Sequence, residues 1–149
     1  MNPWLYLKSE WAHDLAQWAL PFLGLFSEPV PPEWNPLVWR GLRFPNRLGV
    51  AGGADKNADF LRAWWSLGAG FVEVGTVTPR PQGPNPGKIL DRDVNSQSMW
   101  NRMGFPSAGA IEVQANLRAW GPERPSPVFV NIGKNRDTPN ADAVSDYLW

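Results

Sequence analysis

Three short stretches carry residue types that could do chemistry. They are "VAGGADKN" (50–57), "GTVTPR" (75–80) and "NIGKN" (131–135). In the first, Gly52 and Gly53 let another group approach the main chain closely, because neither carries a Cβ. Lys56 follows with an ammonium. The second adds the hydroxyl of Thr76, and the third the amide of Asn131. A glycine-lined surface edged by amide, hydroxyl and ammonium donors suits a flat, anionic or carbonyl-rich ligand. Each residue also has a plainer reading. Lys56 fits a turn, Thr76 a bonded turn backbone and Asn131 a strand-end cap.

Other chemistries are excluded by spacing or composition. The lysine lacks the GxxxxGK[ST] spacing of a phosphate-cradling loop, and no GxGxxG dinucleotide turn is present. The single histidine, His13, lies far upstream and supports neither a Ser-His-Asp arrangement nor a histidine-built metal site. There is no cysteine, so disulfides and thiolate metal sites are absent. No pair of carboxylates is placed for glycoside chemistry, and Glu73, between Val72 and Val74, is a lone acid. Net charge is zero, with 14 basic and 14 acidic residues, which speaks against nucleic acid as a partner.

Elements must position these stretches. "RLGVA" (47–51), "FVEV" (71–74) and "VFVN" (128–131) read as compact apolar strands. Residues 58–67 read as a helix with Asn57 as N-cap and Gly68 as its stop. Residues 107–120 read as a second helix capped by Ser107. "TPNADAVSDYLW" reads as a third, opened by Thr138–Pro139 and running to the last residue. Strand and helix alternate, so the expected fold is α/β with a parallel sheet and crossover helices. The three polar stretches then share the carboxyl ends of the strands, where α/β folds bind ligands. Their coincidence at three successive strand ends outweighs the plainer readings. "LVWRGLRFP" (37–45) reads as a hairpin turning near Gly41, and 75–100 as a long connection.

The 149 residues are 43% hydrophobic and 19% charged, which allows one ordinary domain with a core. Tryptophan (10) and proline (16) are both abundant. Residues 3–20 read as a helix whose stripe is Trp4, Leu7, Trp11, Leu15, Trp18 and Phe22, ended or kinked by Pro21. The apolar run 18–26 is too short to span a bilayer, which takes about 20 residues. That stripe suits either packing on the domain or a membrane surface.

Several stretches together resemble the quinone-dependent (class 2) dihydroorotate dehydrogenases. They are "GLRFPNRLGVAGGADKN", "GFVEVGTVTPRPQGPNP", "NRMGF" and "VNIGKNRDTPNADAVSDYLW". Departures are Gly52 where alanine is usual, Pro106–Ser107 after "NRMGF", and "NPGKILDRD". The resemblance implies the N-terminal part of a (β/α)8 TIM barrel, about three β/α units. A helical membrane and quinone cap (1–36) would precede the barrel part (37–149). It implies FMN as cofactor, oxidation of dihydroorotate to orotate in pyrimidine (UMP) biosynthesis, and a membrane quinone as acceptor. The implied location is peripheral, on the cytoplasmic face of a bacterial inner membrane. By the same resemblance Gly52, Gly53, Ala54, Asp55, Lys56, Thr76 and Asn131 contact the flavin. Lys56, Asn101, Arg102, Met103, Gly104 and Phe105 hold the substrate.

In that family the catalytic base is a serine on a loop that would lie beyond Trp149. Ser96, Ser98 and Ser107 are not given its role. A complete barrel takes about 250 residues, so the expectation is a truncated chain that lacks the base. The alternative reading is a non-catalytic fragment that binds a membrane or a partner through its tryptophans. A Trp-rich sugar-binding module lacks the all-β pattern such a module needs.

Overall fold

A computed structural model describes residues 7–148. Its centre is a parallel sheet of β3 (Gly49–Asp55), β4 (Phe71–Val77) and β7 (Val128–Ile132), in the order β3-β4-β7. Helix α2 (Leu61–Ser66) joins the first two strands. Helix α3 (Ala110–Ala119) lies on the path to the third. The hairpin β1 (Leu37–Trp39) and β2 (Leu42–Phe44) precedes the sheet, and a second hairpin, β5 (Leu90–Asp93) and β6 (Ser98–Asn101), follows β4. Arg40 and Gly41 both have positive φ, the backbone that matches a two-residue turn to strand twist.

The two faces of the sheet differ in chemistry. Val72 and Val74 of β4 are fully buried against Leu61, Trp65, Ala58 and Ala69, with Leu117 and Trp120 packed on that cluster. The Trp65 and Trp120 rings meet edge to face at 4.8 Å. The opposite face carries Phe71 and Phe129, each edge-on to the other, with Phe44 of β2 completing the aromatic floor. Gly49 belongs to this floor: a Cβ there would fall 2.0 Å from the Phe71 ring. One layer above, Glu73 and Asn131 face the same side.

The strands run further than expected, and β3 is irregular. Val50 pairs with Val72, but the next partnership is Asp55 with Val74. Residues 51–54 therefore bulge out of the ladder. "GGAD" thus belongs to the strand itself, not to a loop after it.

Helix boundaries also move. Helix α1 is Ser9–Leu25, so Pro21 does not end it; only the bond its missing N–H would make is lost. Trp4 lies outside the described residues. Asn57 does not cap α2. The Asp55 carboxylate does that work from the strand, accepting the main-chain N–H groups of Asp59 (2.9 Å) and Phe60 (3.0 Å). Asn57 instead accepts Ala108 N–H through its side chain. Gly68, at φ +98°, ends the helix as expected. Ser107 is not the α3 cap, a position held by Gly109; its buried hydroxyl accepts Thr78 N–H and Gly109 N–H. The C-terminal segment is a 3₁₀ turn (Asn140–Asp142) and a short α4 (Ala143–Tyr147), not one helix from 139. The 75–100 connection contains β5 and the start of β6.

Candidate functional site

The bulge opens onto a cleft of about 1200 Å³. Its floor is main chain: Ala51, Gly52, Gly53 and Ala54. Gly53 has φ +96°, and nothing lies within 4 Å of where its Cβ would project. A Cβ on Gly52 would come 2.9 Å from Glu73 Oε1. Gly53 needs the left-handed backbone that glycine adopts freely, and a Cβ on Gly52 would push aside the free end of the Glu73 side chain.

Strand ends supply the polar edge. Thr76 of β4 donates its hydroxyl to Asn131 Oδ1 at 2.8 Å. Asn131 of β7 donates its amide to Glu73 Oε1 at 2.9 Å. Lys56 stands at the other side, with Nζ 3.4 Å from His13 Nε2 of α1. Burial lowers the Lys56 pKa from the usual lysine value, and Asp55 and Asp14 oppose that shift. Burial likewise raises the Asp55 carboxyl, against the main-chain N–H groups of Phe60, Asp59 and Asn57 that favour its ionised form.

The Lys56 shift predicts a pH effect. In the folded chain Lys56 releases its proton below about 10.5, the ordinary lysine value. Between the lowered value and 10.5 the unfolded chain binds more protons, so this group makes stability rise with pH. Lys56→Met should therefore melt higher than the parent near neutrality. The gap should close as pH rises toward the ordinary lysine value. Parallel melting curves recorded by circular dichroism check this, and a gap independent of pH would refute it.

The second wall is the loop after β6. Asn101, Arg102, Met103, Gly104 and Phe105 all line the cleft. Side chains of the proline-rich connection fix that loop. Gln82 donates to the carbonyls of Gly104 and Phe105, and Asn85 donates to that of Arg102. Gly104 is required there, because its Cβ would sit 2.5 Å from Asn85 Oδ1. The Arg102 guanidinium is taken up by the carbonyls of Lys88 and Pro86.

The structure thus gathers Gly52, Gly53, Ala54, Lys56, Thr76, Asn131 and the 101–105 loop around one cleft. Asp55 is the exception. Its fully buried carboxylate is turned to α2, so only its main chain adjoins the bulge. Sequence reasoning missed the contributions of α1: His13, Ala16, Gln17 and Leu20 line the cleft from above. Gln17 donates to the Ala54 carbonyl at 3.2 Å, which ties the helix to the bulge. Helical spacing of 13, 16, 17 and 20 was the available signal. The aromatic stripe on another face of the same helix obscured it. Among the described residues no group of three or more His, Cys, Asp or Glu side chains could hold a metal ion.

Comparison with known proteins places these features in context. A family model described as "Dihydroorotate dehydrogenase" matches residues 38–149. A protein named "Dihydroorotate dehydrogenase (quinone)" from Thermus thermophilus is 53% identical over 109 residues, covering 72% of this chain and 32% of its own length. One of the same name from Methylobacillus flagellatus is 41% identical over 153 residues, covering 99% of this chain and 45% of its own length. The solved ligand-free DHODH from Eimeria tenella superposes with a TM-score of 0.79 at 37% identity, covering 92% of this chain and 40% of that one. The chain spans between a third and a half of the length of these relatives. Their fold and the parallel β/α order seen here make the sheet part of a TIM barrel.

Proposed function

Because the chain belongs to the dihydroorotate dehydrogenase family, we propose that it forms the flavin-ring and substrate end of an FMN-dependent enzyme. That enzyme oxidises dihydroorotate to orotate in pyrimidine synthesis and passes electrons to a membrane quinone. The carrying observation is the convergence of three strand ends and the 101–105 loop on one glycine-floored cleft. The residues fit a planar ring: Gly52 and Gly53 offer bare main chain, and Thr76 and Asn131 offer hydrogen-bonding groups at the edge. Bound FMN would supply the hydride acceptor and the route for electrons to quinone. Lys56 would hold positive charge where negative charge builds up. Asn101 and the main chain of 102–105 would orient the substrate. No described residue takes the role of base. Ser107 is buried with its hydroxyl engaged, and Ser96 and Ser98 bond each other on an exposed hairpin.

The exposed aromatics of helix α1 support a peripheral membrane site for the cap; its place on the cytoplasmic face of a bacterial inner membrane is what the family resemblance implies. Trp11 (63%), Trp18 (67%) and Phe26 (85%) are exposed. Among the described residues no helix is long and apolar enough to cross a membrane. The same exposure favours a second reading, a membrane- or partner-binding module without catalysis.

Titration of the chain with FMN, followed by quenching of flavin fluorescence, separates these readings. The expected result is saturable binding that Gly52→Val, at a position without positive φ, weakens more than about tenfold while the far-ultraviolet dichroism stays unchanged. That substitution fills the ring seat with a branched side chain. Protein that ignores FMN yet sediments with anionic phospholipid vesicles would sink the flavin reading and leave the second.

A further inference from the structure

Glu73 is a charged side chain on the cleft side of the central strand, and neither flavin nor substrate contacts were expected of it. It sits under Gly52, and its Oε1 accepts Asn131 Nδ2 at 2.9 Å. Asn131 Oδ1 in turn accepts the Thr76 hydroxyl at 2.8 Å. The three residues form one hydrogen-bonded row across β4 and β7, and all three line the cleft.

We propose that Glu73 is a positioning residue that fixes the amide of Asn131, and through it the hydroxyl of Thr76, for the ligand in the cleft. A carboxylate accepts hydrogen bonds and cannot donate them. The Asn131 NH₂ group must therefore face Glu73, and its oxygen must face Thr76. An amide beside a neutral partner has no such restriction, since its two ends are nearly the same shape. With the amide fixed, the Thr76 proton is committed to Asn131. Thr76 then presents lone pairs to the cleft. Asn131 retains one N–H and one lone pair. The edge of the cleft is thereby set to meet a ligand that brings its own N–H beside a carbonyl, as a cyclic imide does. A Cβ at Gly52 would come 2.9 Å from the same Oε1, so this position touches the row directly.

This inference deepens the flavin reading and rests on it for the ligand. The arrangement of the row can be tested without any ligand. Side-chain amide signals of ¹⁵N-labelled 1–149 chain, without FMN, report Asn131 directly. The parent should show one Asn131 NH₂ pair with its bonded proton shifted downfield. Glu73→Leu should return that proton to the position of a free amide. Glu73→Gln, which can present either oxygen or nitrogen, should give two Asn131 pairs or an averaged one. FMN affinity should fall about tenfold in Glu73→Leu, the scale of one lost hydrogen bond, and less in Glu73→Gln. Unchanged Asn131 signals in both variants would overturn the proposal. If Glu73→Leu fails to fold, Glu73→Gln decides alone by the same signals. If the parent chain binds no FMN, the flavin reading fails while the amide signals still decide the role of Glu73.

Discussion

Asn46→Ala should lower the unfolding free energy of the chain by about 1–3 kcal/mol, the cost of losing a buried side chain's hydrogen bonds. Asn46 has no exposed surface. Its Nδ2 donates to the carbonyls of Pro32 and Gly68, both at 3.0 Å, and its Oδ1 accepts Leu48 N–H at 3.0 Å. Alanine leaves two carbonyls and one N–H without their partner at a half-buried joint. Gly70 shows how tight the site is: a Cβ there would fall 2.3 Å from the Asn46 carbonyl oxygen. Asn46→Asp should be at least as damaging, because a carboxylate would face two carbonyls that need a donor. Urea unfolding followed by dichroism measures the loss. A midpoint shift worth less than about 0.5 kcal/mol, the usual size of a surface change, would show that Asn46 does not join these segments.

The second large effect lies in the core between sheet and helices. Trp65→Ala should cost about 3–5 kcal/mol, the range for removing a large buried aromatic. That is a large share of the roughly 5–15 kcal/mol that holds a domain together. Trp65 is fully buried among Leu61, Val72 and Val74 and stacks edge-on against Trp120. Its indole N–H has no hydrogen-bond partner among the described residues. Phenylalanine removes that orphan donor while keeping most of the ring, so Trp65→Phe should cost much less than Trp65→Ala. Equal losses in the two variants, measured by thermal melting, would mean that the N–H is bonded and that ring volume does not set the cost.

The parts of this fold that were legible are those written in local pattern. β3, β4 and β7 announce themselves as short apolar runs, and Gly68 marks a helix end by its positive φ. The cleft residues on β3, β4 and β7 were legible because their strand-end stretches are dense in glycine and donors, while 101–105 came only from the family resemblance. What escaped depends on partners distant in sequence. The β3 bulge is defined by its register against β4, Val50 with Val72 and then Asp55 with Val74, which no pattern within 50–57 records. The β5–β6 hairpin carries "LDRD" and "SMWN", mostly exposed and without a clear apolar alternation. Asp55 was expected at the flavin by resemblance alone, not by any local pattern. Its actual partners are main-chain N–H groups at the start of α2, which any sequence would offer. Asn46 gave no signal at all, since a lone asparagine after proline reads as a turn.

The joint between α1, its following segment and the barrel part has one recurring design. Arg62 donates to the Gly24 carbonyl, Ser66 to that of Ser27, and Asn46 to that of Pro32. In every case the 24–32 segment contributes only its main chain. A carbonyl is present whatever residue carries it, so substitutions along that segment leave these anchors intact. Gly24 is the exception, because a Cβ there would press to 3.1 Å on Ala63 N. The exposed positions of that segment can therefore change side chain without breaking the joint, while buried Pro31 is held by its packing.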